Sequence, residues 1–129
     1  MQEFTYNSDK RKLLSSLCHG AIFFSTTLFS IGVPIAIYFT ADDPIVKSNA
    51  KESINFHFNV WFWATIIGVP IGILIAILSF LTFGIGGILF FPVVAFGFLL
   101  HWGLTIWALL HCFSNPDEAF RYPFIFRLF

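Results

Sequence analysis

Two apolar tracts set the pattern of this chain. No Asp, Glu, Lys or Arg occurs in residues 13–41, and none occurs in residues 53–116. Both tracts exceed the ~18 apolar residues that mark a membrane-crossing helix. The first predicts one helix over residues 13–39, ~40 Å long at 1.5 Å per residue. That exceeds the ~30 Å hydrocarbon layer, so the helix should tilt, bend or project from one face. Gly32 and Pro34 predict a kink toward its far end. The second tract is too long for one crossing and suits two, over residues 54–79 and 88–112. Gly84, Gly86 and Gly87 lie between them and predict a tight hairpin turn at the membrane boundary. The expected fold is an all-α membrane protein with three transmembrane helices in a single domain, residues 1–129.

The polar punctuation supports these boundaries. Asp42-Asp43-Pro44 reads as a stop and a restart, with Asp43 as N-cap and Pro44 at the first helical position. From there Val46, Ala50 and Ile54 recur on one stripe, which predicts a short amphipathic interfacial helix leading into the second span. Trp61 and Trp63 suit the interface at that span's entrance. Pro70 interrupts the span's middle, whereas Pro92 is tolerated near the start of the third. Asn115-Pro116-Asp117-Glu118 ends the last helix. The tail, residues 120–129, mixes aromatic rings with Arg121 and Arg127. It is too short to cross and is expected in the headgroup layer, rings toward lipid and guanidinium groups toward phosphates.

Composition narrows the class further. Charged residues are 11% of the chain against ~25% in soluble proteins, 57% are hydrophobic, and 19 are Phe. Such a chain has too few charges to cover its apolar surface in water. Lys10-Arg11-Lys12 ahead of an apolar run resembles a secretory signal, but the run far exceeds the ~7–15 residues of a signal core. A retained helix is expected. Seven basic and seven acidic groups balance, with no basic patch for a nucleic-acid partner. Three spans put the N-terminus and the glycine turn on one face, and residues 42–53 and the tail on the other. Lys10, Arg11 and Lys12 against Lys47, Lys51, Arg121 and Arg127 leave the orientation open.

Candidate chemistry is sparse. Glu52, Asn55 and Asn59 share one helical face at the mouth of the second span. Polar groups entering hydrocarbon are costly unless paired, so this face should turn toward protein, either fixing helix packing or lining a path. His101, Thr105, Ala108 and Cys112 form a second polar and small face, a packing seam or a narrow path with His101 titrating. The predicted topology places His19 at one membrane face and His57 and His111 at the other, so these three should not share one ion; only His57 and His111, with Cys112 or Glu52, could meet, a weak metal signal without a spaced motif. Cys18 and Cys112, the only cysteines, imply no disulfide framework. No Ser-His-Asp set, nucleotide loop or HExxH motif is present, so neither enzyme activity nor a cofactor is expected. The near-repeat of residues 31–37 and 67–73 carries small-xxx-small spacings, Gly32/Ala36 and Gly68/Gly72, which allow close helix approach.

Ala50-Lys51-Glu52, then Asn55-Phe56, resembles a stretch in the small bacterial membrane proteins of the Tic-twenty-like family. His19 at the first span, Pro34 near its end, and the closing Arg121-Tyr122-Pro123 with Arg127 agree with that resemblance. It implies a helical inner-membrane protein without assigned activity, related to a chloroplast protein-import subunit. Two functions are therefore carried forward. One is a non-enzymatic module that associates with copies of itself or with other membrane proteins. The other is a channel, carrier or translocation subunit with a polar path near Glu52, Asn55, Asn59 and His101.

Overall fold

Asn7 opens the first helix: its side chain accepts from the N–H groups of Asp9 and Lys10 at 2.9 and 3.0 Å, satisfying donors that the helix leaves unpaired. The computed structural model describes residues 6–24 and 28–128. Helix α1 runs Ser8–Gly20 and passes into a 3-10 turn, Ala21–Phe23. Helix α2 runs Leu28–Thr40 and continues through the buried Pro34. The single helix expected over residues 13–39 is therefore two shorter ones. Residues 25–27 of that expected span, and Phe129 of the tail, lie outside the described residues. Leu14 and Cys18 of α1 pack against Val33, Ile37, Tyr38 and Ala41, so α2 runs back along α1. Arg11 closes the open end by pairing with Asp43 at 2.6 Å.

Asp43 caps the next helix as its sequence predicts, accepting from the N–H groups of Ile45 and Val46. Helix α3, Pro44–Trp63, passes through a π turn, Ala64–Gly68, into α4, Val69–Leu81. Pro70 accounts for the π turn: it has no N–H for the carbonyl of Ile66, and its ring would press on that carbonyl in a regular helix. The expected interfacial segment and second span are thus one helix, Pro44–Leu81.

The glycine turn falls where expected. Gly84 takes φ +95°, and its N–H donates to the carbonyl of Ser79 at 2.7 Å. Gly86 packs so tightly that a Cβ there would lie 2.7 Å from the carbonyl carbon of Leu78. A 3-10 segment, Ile85–Leu89, leads into α5, Phe90–Ser114. Asn115 follows, its N–H bonded to the carbonyl of His111.

The chain divides into two compact units, Met1–His57 with Leu104–Phe129, and Phe58–Gly103. The second unit is the apolar hairpin. Nearly all its large side chains are exposed, among them Phe80, Phe83, Phe91 and Phe96. The first unit holds α1, α2, the start of α3, the end of α5 and the tail. Among the described residues, two helical stretches are long and apolar enough to cross a membrane, Pro44–Leu81 and Ile85–Ser114, and their most apolar windows are only 6% and 0% buried. A soluble protein's core helix would be mostly covered. Three spans are not observed, because α1 and α2 are too short. Within the tail Phe120 and Tyr122 are buried in the first unit, whereas Phe124, Phe126 and Leu128 are exposed.

Candidate functional site

The polar residues of the first unit converge on Asn49, one turn before Glu52 on α3. The Asn49 amide is oriented by groups whose roles are fixed. Its Nδ2 donates to the carbonyl of Ile45 and to Ser15 Oγ, both at 3.1 Å. Its Oδ1 accepts the N–H of Phe120 at 3.0 Å and, weakly, the thiol of Cys112 at 3.6 Å. His19 Nε2 stands 3.0 Å from the same oxygen and must therefore carry a proton. Nδ1 of His19 then accepts the hydroxyl hydrogen of Tyr122 at 3.0 Å. The imidazole is neutral, fully buried and held at both nitrogens. Burial lowers its pKa from 6.5 to about 4, against the favourable hydrogen bond to Asn49.

One turn on, Glu52 is 3% exposed and fully engaged. Arg127 binds it in a fork, Nε to Oε1 and Nη2 to Oε2 at 3.1 Å. The N–H of Tyr122 donates to Oε2 at 3.2 Å, and the exposed Arg121 approaches Oε1 at 3.5 Å. Arg127 also donates to the Tyr122 carbonyl, which pins the tail's own turn. Hydrogen bonding to Glu52 is the main reason the Arg127 pKa is raised. Asn55 accepts the N–H of Leu128 at 2.8 Å. Phe56 stacks on the Tyr122 ring, centroids 4.0 Å apart and 7° from parallel. A buried carboxylate is tolerated only when its charge and lone pairs are met, and here the tail meets them.

Glu52 and Asn55, singled out from sequence, thus belong to one site, and so do His19, Phe56, Arg121, Tyr122 and Arg127. Pro123 forms the turn that follows Tyr122, while Pro34 is buried in α2. Asn59 and His101 belong to the second unit. Thr105, Ala108 and Cys112 are buried on one face of α5, as a packing seam requires. The predicted separation of His19 from His57 and His111 does not hold. His19 shares Asn49 with Cys112, and the rings of His19 and His111 both pack on Phe120, with centroids 5.9 and 5.4 Å from it. Helix α2 runs back along α1, and side chains of α1, α3, α5 and the tail meet around Asn49. Sequence reasoning missed Asn49, although it extends the Glu52 face back by three residues.

The arrangement fastens the tail to α3 and α1. Burial pushes the Cys18 thiol up to about 12, so it stays protonated. Among the described residues no three His, Cys, Asp or Glu side chains are grouped to hold a metal ion.

A family model described as the magnetosome magnetite crystal formation protein family matches residues 10–129. No curated protein and no solved structure matches the chain. The expected Tic-twenty-like kinship is overturned by the family match, which gives no support to a translocation or channel role. With the match covering both units and every residue of the Asn49 and Glu52 site, the chain belongs to the magnetosome magnetite crystal formation protein family.

Proposed function

We propose that this chain is a membrane-embedded, non-enzymatic helical component of the compartment in which magnetite crystals form. It acts through helix contacts with further copies of itself or with other proteins of that membrane. The family match over residues 10–129 carries the reading. The apolar hairpin Phe58–Gly103 supports the membrane part: its outward side chains suit acyl chains and are costly in water. Gly68, Gly72, Gly97 and Gly103 have open space beside them, so another helix backbone can approach closely there. The polar site of the first unit is spent on holding the tail.

Deleting the gene in a magnetite-forming cell tests the role. Smaller or misshapen crystals, restored by the native chain, are expected; an unchanged distribution of crystal size and shape refutes it. Crosslinking between Gly72→Cys chains in native membranes tests the mode of action. A specific dimer or a discrete larger adduct is expected, and a monomer alone removes the helix-contact reading.

A further inference from the structure

We infer that α1 and α2 form a re-entrant hairpin that enters and leaves the membrane by the same face, so that the N-terminal end of α1, the turn at residues 41–43 and the tail share one side. This rests on the membrane reading above.

Length comes first. Helices α1 and α2 have 13 residues each, ~20 Å of rise, and neither bridges ~30 Å of hydrocarbon. In the second unit, residues 61–81 rise ~30 Å, one full crossing. Polarity gives the direction. The α1–α2 pair has a charged mouth, where a cavity of about 530 Å³ is lined by Tyr6, Lys10, Arg11, Asp42 and Asp43. At its opposite end the described residues that flank the connection are apolar and outward-facing: Phe24 is 77% exposed and Leu28 74%, with Phe23 and Phe29 beside them. A hairpin with charge at its mouth and exposed aromatic rings at its tip dips tip-first into lipid and holds its mouth at the headgroups.

Connectivity gives the sidedness. Arg11 pairs with Asp43, which follows α2, and with Asp117, which follows α5. One guanidinium thus holds three segments that the three-span topology would divide between two faces. No side chain reaches across a bilayer.

Variants with one added cysteine, in sealed, uniformly oriented membrane vesicles, test this with a membrane-impermeant maleimide. Cys18 and Cys112 are buried, and the unsubstituted chain sets the background. Ser8→Cys, Asp42→Cys and Glu118→Cys replace exposed side chains and are expected to label from the same face. Phe83→Cys, at the fully exposed turn of the second unit, is expected to label only from the other face. Labelling of Ser8→Cys from the face opposite Asp42→Cys or Glu118→Cys overturns the inference. Labelling of Phe83→Cys from the same face as all three overturns the membrane-crossing reading itself. A chain with peptide tags at both ends needs no substitution. Protease added to one face should remove both tags together, and removal of only one overturns the inference.

Discussion

At the scale of single residues, the site is a set of buried polar groups whose partners lie far away along the chain. Arg127 reaches Glu52 across 75 positions, and removing it leaves a carboxylate in the interior with the Tyr122 N–H and the exposed Arg121. Arg127→Leu should destabilise the protein by about 3 kcal/mol, the cost of a broken buried pair. Arg121→Leu should cost less than about 1 kcal/mol, as exposed pairs do. Thermal or denaturant unfolding in detergent measures both, and equal effects would show that the fork geometry is unimportant. His19 predicts a pH dependence. Its pKa falls from 6.5 unfolded to about 4 folded, so between these values the unfolded chain binds more protons. Stability should be complete above pH 6.5 and decline by ~3 kcal/mol as pH falls to 4. Unfolding midpoints should show this decline, and His19→Gln should lack it. Glu52 and Asn55 were legible because polar groups at the edge of an apolar tract need partners. Asn49 continues that face one turn earlier, but it precedes the charge-free tract, so no burial cost marked it in the sequence.

At the scale of elements, boundaries followed local chemistry. Asp43-Pro44 starts α3, the glycines make the turn after α4, and Asn115-Pro116 follows α5. The turn's glycines are not equivalent. Gly86→Ala would place a methyl group 2.7–2.9 Å from the backbone of Leu78 and Ser79, so the turn must open. Gly97→Ala meets open space within α5 and should gain up to ~1 kcal/mol from helix propensity. Unfolding midpoints should fall for Gly86→Ala and hold or rise for Gly97→Ala; the reverse order would contradict the close approach at Leu78. The break between α1 and α2 was illegible. Residues 13–41 contain no charge, and apolar character alone does not separate one long helix from two that fold back.

At the scale of the molecule, the tail acts as a clasp. Residues 120–128 supply partners to His19, Asn49, Glu52 and Asn55. Deleting residues 119–129 leaves all four buried groups short of a partner, each costing about 1–3 kcal/mol and more for the carboxylate. Their sum rivals the stability of an ordinary domain. The truncated chain should lose cooperative unfolding and become protease-sensitive in its first unit. Adding a peptide of residues 119–129 back should restore part of the protection. A truncated chain that unfolds like the full one would mean that water or lipid replaces the tail.

Hydrophobic length, helix caps and turn residues are local properties, and the amino-acid order alone settled them: an all-helical chain, an apolar hairpin around Gly84, and a polar face at Glu52. Which groups satisfy that face is a matter of approach in space. Only the folded chain placed the tail on α3, set Asn49 between His19 and Cys112, and turned the first apolar tract back on itself. The cause is energetic. An apolar segment gains nearly the same from lipid as from a neighbouring helix, whereas a buried carboxylate or amide requires one particular partner, and the whole fold must bend to supply it.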